Sequence, residues 1–230
     1  MVKREETGIE KLDSLLDGGL PKGSTVFLIG EPGTGKSTFI NQFMEEGLSN
    51  SERGLYITFD NAPEEVMESA NNFGWDFEEH KDNFAFLDAY SWKLGKEVDS
   101  EYAIQGPSDL NAFNMTLTDA LRGIGEGEKR IVADSISTMV LYTDVNSAVK
   151  FLQVVSAKSK ASDGVLLLTL EEGVQDKEAV SKLNYVADGV INLKIEDDKR
   201  YIKISRMSKT SPEREWHRFE IKDNGIELMD

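Results

Sequence analysis

Gly30 to Ser37 of this chain read G-E-P-G-T-G-K-S, a complete G-x-x-x-x-G-K-[ST] motif. The residue types and their order suit one task, the holding of phosphates. Glycines let the backbone bend until successive N–H groups point at one anion, and a helix N-terminus adds its dipole. The lysine brings a cation to the β and γ phosphates, and the Ser37 hydroxyl offers Mg²⁺ a hard oxygen. Gly30, Glu31, Pro32, Gly33, Thr34, Gly35, Lys36, Ser37 and Thr38 are therefore the expected nucleotide-binding residues.

Such a loop needs a second acid for its metal. K-R-I-V-A-D-S is an apolar run ending in Asp134, which puts a carboxylate at the C-terminal edge of a strand, where parallel sheets gather their ligands. Ser37 and Asp134 are the expected metal pair. A second strand-like run, L-Y-I-T-F-D-N, ends in Asp60 and Asn61. A carboxylate there can position water, whereas an amide can orient water but cannot take its proton. The D-N-A-P-E-E sequence also reads as a helix start, with Pro63 at its first position and Glu64 and Glu65 in its first turn.

Both acids and the phosphate loop depend on the elements that carry them. Apolar runs near 25–30, 55, 84, 130 and 165 are apolar on both faces, as central strands of a covered parallel sheet must be. Helical spacing falls at about 37–48, 63–74, 108–123 and 146–162, so strand and helix alternate up to residue 170. Beyond it, G-V-I-N-L-K-I, R-Y-I-K-I-S-R and W-H-R-F-E-I alternate apolar with polar residues, and turn signals such as Asp223-Asn224-Gly225 follow. The expected fold is α/β: a mostly parallel central sheet flanked by helices, closed by C-terminal antiparallel strands. Residues 91–107 fit neither period and are expected to form a mobile loop. Trp75, Trp92 and Trp216 are expected to pack rather than to stack on bases.

Composition bounds the alternatives. A chain of 230 residues with 39% hydrophobic and 30% charged residues fits one α/β domain over 1–230. The absence of cysteine excludes disulfides, thiolate catalysis and thiolate-bound metal, and two histidines are too few for a histidine metal cluster. A formal net charge of -16 disfavours nucleic acid and anionic lipid as partners. The start M-V-K-R-E-E-T lacks an apolar core and no apolar run approaches a membrane span, so we expect a soluble, cytoplasmic protein with no membrane partner.

Taken together, T-G-I-E-K-L-D-S-L-L-D-G-G-L-P-K-G-S, the phosphate loop, G-L-Y-I-T-F with N-A-P-E-E-V, N-N-F-G-W-D and V-A-D-S-I-S-T resemble the KaiC-like branch of the RecA-superfamily ATPases. KaiC has two such domains in tandem; this chain has one and is similar to the single-domain archaeal proteins. The resemblance implies a RecA-type fold, ATP with Mg²⁺, and a homo-oligomeric ring, usually a hexamer, with nucleotide at the subunit interfaces.

In that family the strand after the phosphate-loop helix ends in two glutamates that activate water. Asp60 and Asn61 stand there instead, so the carboxylate is one methylene shorter and the second base is gone, a displacement on the scale of the ~1 Å that can cost ~10²-fold in rate. The family's K-x-R-G-T strand, which reaches a neighbour's γ-phosphate, matches I-S-R-M-S-K-T-S, with Arg206 at the first basic position, Ser208 at the second and Lys209 at the glycine. The resemblance thus implies catalytic roles for Lys36, Asp60, Asn61, Arg206 and Lys209. Among Thr169, Glu171 and Glu172, where RecA-type proteins keep a polar sensor, the sequence does not choose.

These residues lead us to expect a slow MgATPase acting as a nucleotide-dependent oligomeric switch toward an unknown protein partner. Two other readings stand beside it: a non-hydrolysing scaffold glued by ATP or ADP, and a recombinase paralogue acting on DNA. Against the last, E-E-G-V-Q-D-K-E-A-V after residue 170 is acidic where recombinases bind DNA.

Overall fold

A strand that is apolar on both faces must be covered on both, and the chain meets that demand with one twisted sheet between two layers of helices. The computed structural model describes residues 2–95 and 100–229. In chain order its elements are β1 (Arg4–Glu5), α1 (Glu10–Leu15), β2 (Leu20–Pro21), β3 (Thr25–Gly30), α2 (Lys36–Ser49), β4 (Arg53–Thr58), α3 (Pro63–Asn71), β5 (Phe84–Asp88) and α4 (Leu110–Gly123). There follow β6 (Lys129–Asp134), α5 (Ile136–Tyr142), α6 (Val145–Ala161), β7 (Val165–Glu171), α7 (Lys177–Asn184), β8 (Gly189–Glu196), β9 (Lys199–Met207), β10 (His217–Lys222) and β11 (Gly225–Leu228).

The main sheet runs β11-β10-β9-β8-β3-β7-β6-β4-β5. From β8 to β5 all neighbours are parallel, and β8 to β11 are joined antiparallel. Alternate residues of the strands feed two cores. Val26, Leu28, Tyr56, Val132 and Leu167 face α1, α2 and α3, while Phe27, Ile29, Leu55, Ile131 and Leu168 face α4, α5 and α6. The helices answer with 3.6-residue spacing: Phe39, Ile40, Phe43, Met44 and Leu48 on α2, and Ala148, Phe151, Leu152, Val155 and Ser159 on α6 are all buried. Their starts are fixed by side chains. Asp109 accepts hydrogen bonds from the amides of Asn111 (3.1 Å) and Ala112 (3.0 Å), and Asp144 does the same for Asn146 (3.0 Å) and Ser147 (3.1 Å). Pro63 opens α3, and Glu65 accepts from the amide of Ala62 at 3.0 Å.

Three expectations change. G-V-I-N-L-K-I, read as part of the antiparallel extension, forms β8, which lies parallel to β3 on one side and antiparallel to β9 on the other. The reason is α7, a crossover helix that returns the chain before β8 begins; its Asp176 cap and the buried pair Ala179 and Leu183 at i,i+4 were the signals for it. The 91–107 stretch carries a 3-10 turn over Ser91–Leu94 and a bridge from Asp88 to Ala103. Asp88 anchors it by accepting from the amides of Tyr90 and Ser91, both at 2.9 Å. Residues 96–99 of that expected loop lie outside the described residues. Trp75 is buried and stacked on Phe73, and Trp92 donates to Ala89, but Trp216 lies on the surface with the Lys194 and Lys203 ammonium groups over its ring.

The G-G-L-P lead-in also finds its reason. β1 and β2 form a small ladder of their own, and Gly19, at φ 114°, sits so close to the Glu5 backbone that a Cβ would come within 2.2 Å of its oxygen. Beneath this ladder Arg130, fully buried at the start of β6, donates to Glu52 through Nε (2.8 Å) and Nη2 (3.1 Å), and to the carbonyls of Glu6 (2.6 Å) and Phe43 (2.7 Å). The Glu5 side chain is buried beside it, and neither of its oxygens has a hydrogen-bond partner among the described residues.

Burial raises the Glu5 carboxyl from 4.5 to about 8, against the pull of Arg130 and with the push of Glu52. A carboxyl that keeps its proton longer when folded than when unfolded withdraws stability as pH rises between those two values. Glu5→Gln should therefore raise the melting temperature at pH 8 and leave it nearly unchanged at pH 4.5, with about 2–4 °C for each kcal/mol relieved in a chain of this size. Equal shifts at both pH values in a scanning calorimeter would show that Glu5 does not carry this pH dependence.

A candidate nucleotide site at the strand ends

Strand register brings the candidate residues together. Gly30 is level with Glu171 across β3 and β7, Leu28 with Thr169, and Thr58 with Asp134 across β4 and β6. The phosphate loop, the end of β7, Asp134 and the turn after β4 thus meet at the carboxyl edge of the sheet. This edge is a switch point, because β3 continues through α2 to β4, three strands away, while β7 and β6 fill the gap. A cleft of about 440 Å³ opens there, lined in part by Gly35, Lys36, Ser37, Asp60, Asp134 and Glu171. Pro32, Gly33, Thr38 and Asn61 complete that side.

The phosphate loop is built as its sequence demands. Gly35 holds φ 104°, a conformation costly to any residue with a Cβ, and it is the residue from which α2 starts. Among the described residues no side chain caps α2, so its first amides are left for an anion. Lys36 is buried, with Nζ 2.8 Å from the Gly30 carbonyl, 3.0 Å from that of Glu31 and 3.0 Å from Glu171 Oε1. Gly30, Glu31 and Thr34 shape the loop from behind; Thr34 is buried and donates to the Glu31 carbonyl at 2.8 Å.

Asp134 is buried, and Ser37 Oγ donates to its Oδ2 at 3.2 Å while Thr169 donates to its Oδ1. Burial pushes the carboxyl up to about 6; the Thr169 hydrogen bond resists and the nearby Asp60 adds to the rise. A cation placed against Ser37 and Asp134 would favour the ionised form. Hard oxygen donors, few in number and beside a phosphate loop, suit Mg²⁺, which takes one or two carboxylates and completes its shell with water and substrate oxygens. Among the described residues no group of three or more His, Cys, Asp or Glu is arranged to hold a metal, so phosphate oxygens and water would have to supply the remaining ligands.

Asp60 is half-buried at the cleft wall and Asn61 is exposed beside it; the Asn61 carbonyl accepts from Thr58 Oγ1 at 2.6 Å, which fixes the turn. Arg206 and Lys209 do not reach this cleft. Arg206 donates to the carbonyls of Asn184 (3.1 Å), the last residue of α7, and Ala187 (2.8 Å) just beyond it, and Lys209, at φ 59°, gives its carbonyl to Arg4. Of the three polar residues that the sequence left open, Thr169 contacts Asp134, Glu171 contacts Lys36, and Glu172 is exposed. Two cleft residues were not foreseen, Arg200 on β9, 3.4 Å from the Gly33 carbonyl, and Ile221 on β10. Nothing local marks them, since the antiparallel strands reach the loop only through the sheet order.

A family model described as ATPase: KaiC matches residues 5–230. The UPF0273 protein PF1931 of Pyrococcus furiosus is 32% identical over 98% of this chain and 94% of its own length. A UPF0273 protein of Thermotoga maritima is 29% identical over 98% and 96%. Among solved structures, the KaiC-like protein PH0186 from Pyrococcus horikoshii OT3 superposes with a TM-score of 0.81 at 27% identity, covering all of both chains.

Thr169 touches the carboxylate and not the cleft itself, so its contribution is separable. If Asp134 receives the metal, Thr169→Val should weaken Mn²⁺ or Mg²⁺ affinity in the presence of nucleotide by about 10–100-fold, as losses behind a metal ligand do. Metal titration followed by electron paramagnetic resonance of Mn²⁺ measures this, and an unchanged affinity removes Asp134 as the metal carboxylate.

Proposed function

The chain belongs to the KaiC family of ATPases, and on that premise we propose that it binds MgATP, hydrolyses it slowly, and uses the exchange of ATP for ADP as an oligomeric switch. The observation that carries this reading is the approach of Ser37 Oγ to within 3.2 Å of Asp134 Oδ2 in a cleft that Asp60 also lines. The loop amides of residues 33–38 and the Lys36 ammonium would hold the phosphates. Ser37 and Asp134 would hold Mg²⁺, which when bound neutralises charge on the β and γ oxygens. Asp60, helped by Asn61, would position the attacking water and accept its proton.

Slow turnover is supported by Asn61, which has no basic oxygen to offer where the family places its second glutamate. We read residues 1–230 as one ATPase domain of a cytoplasmic homo-oligomer, a hexameric ring, acting on a protein partner. Among the described residues no helix is long and apolar enough to cross a membrane. In such a ring Arg206 and Lys209, both exposed, would have to act on a neighbour's nucleotide, and Arg206 would first leave the carbonyls it now holds. The acidic segment after residue 170 is a turn leading into α7, which supports keeping nucleic acid out of this reading. The non-hydrolysing scaffold remains the competing reading, and Asn61 is the residue that favours it.

Lys36→Ala should weaken MgATP binding by about two decades or more, because the phosphates lose the one cation that the motif places on them. Calorimetric titration measures this, and unchanged affinity overturns the site.

Turnover separates engine from latch. Asp60→Asn should reduce phosphate release about 10²-fold with ATP binding intact, the usual scale for losing a general base, and Asp60→Glu with Asn61→Glu should raise it. If Asp60→Asn keeps the full rate, Asp60 is not the base. If the unmodified protein, assembled with ATP, releases no more phosphate than Lys36→Ala, the scaffold reading replaces this one.

A further inference from the structure

Lys36 has spent all its hydrogen-bonding capacity on its own chain. An ammonium carries three N–H groups, and three oxygens lie within 3.0 Å of Nζ: the carbonyls of Gly30 and Glu31 and the carboxylate of Glu171. A phosphate oxygen must displace one of them. The carbonyls are fixed, because Gly30 also accepts from the amide of Glu172 at 3.1 Å, and Glu31 accepts from Thr34 Oγ1 at 2.8 Å. Glu171 differs. Its backbone is pinned by register with Gly30 and by Ser137 Oγ, which accepts its amide at 2.8 Å, yet its side chain is 24% exposed and can turn into water with no change in the strand.

Charge points the same way. Three carboxylates, Asp60, Asp134 and Glu171, line the cleft against two cations, Lys36 and Arg200. A metal would compensate Asp134. Once a phosphate takes Lys36, the Glu171 charge stands uncompensated beside that phosphate, and like charges at such range repel.

We infer that Glu171 is a counter-ion in the phosphate site: it holds Lys36 until a nucleotide replaces it, and that exchange sets the threshold for nucleotide binding. The inference rests on the nucleotide reading above and adds a residue that opposes binding to those that favour it. Glu171 is thus a positioning residue acting through Lys36. The backbone of Glu171 stays in place during that exchange, because Ser137, which accepts the Glu171 amide, donates to Gln175 at 3.0 Å and takes a return bond from Gln175 Nε2 to its carbonyl at 3.2 Å.

Isothermal titration of MgATP and MgADP into the full chain and its Glu171→Gln and Glu171→Asp variants tests this. Gln keeps the shape and removes the charge, so both nucleotides should bind more tightly, on the order of 10-fold, the scale of losing one close like charge. Asp keeps the charge and shortens the reach, so it should show no such gain. A purely structural role would weaken binding in both variants. Unchanged or weaker binding by Glu171→Gln overturns the proposal, and a loss confined to ATP overturns it in favour of a γ-phosphate sensor. Failure of the unmodified protein to bind either nucleotide overturns the nucleotide reading and this role with it. Normal binding by the parent with no gain in Glu171→Gln overturns this role alone.

Discussion

A carboxylate at the end of a fully buried strand is the constraint around which the cleft is organised. Every residue of β6 is buried, and Asp134 ends it with its oxygens inside the protein. An unpartnered charge there is strongly disfavoured, so the group must be hydrogen-bonded, protonated or neutralised by a cation. Thr169 from β7 and Ser37 from α2 supply the hydrogen bonds. Those partners exist only because β7 lies beside β6 and because α2 starts where β3 ends. The site and the strand order are therefore one requirement, and a change in either disturbs the other.

The opposite end of β6 faces a similar problem with the reverse sign. Arg130 is buried within the helical layer, and its guanidinium is satisfied by the Glu52 carboxylate, two carbonyls and the face of Phe43. Such a network adds little net stability compared with an apolar core, but removing one member leaves a buried charge alone. Its effect here is geometric. Arg130 fastens the N-terminal segment at Glu6, α2 at Phe43 and the α2–β4 turn at Glu52 to one strand, and so fixes the helix that carries Lys36 and Ser37 relative to the strand that carries Asp134.

Between these fixed parts the phosphate loop keeps one adjustable contact. Backbone carbonyls that hold Lys36 are tied into the loop and the neighbouring strand, whereas among the described residues the Glu171 carboxylate is tied to Lys36 alone. A site built this way is rigid in its frame and responsive at one ion pair. Arg200 and Ile221 close the cleft from the antiparallel strands, so the C-terminal extension belongs to the site as well as to the sheet.

Local pattern was enough for the phosphate loop, for the alternation of five apolar strands with helices, and for the place of Asp134 at a strand end, because each of these is written in periodicity or in residues adjacent along the chain. The same reasoning missed α1, α5 and α7, which are short and offer few turns of periodic signal, and so it foresaw the antiparallel pairing of β8 with β9 but not its parallel pairing with β3. Whether β8 is parallel or antiparallel depends on the path of the chain before it, and α7 sets that path. The partners of Lys36 and Asp134 lay further out of reach. Glu171 and Thr169 sit more than thirty residues from either, and nothing in their own sequence says which of them meets the cation and which the acid. Register decides it: β7 pairs with β3 so that Gly30 is level with Glu171 and Leu28 with Thr169, and a shift of one residue would turn each side chain to the opposite face of the sheet.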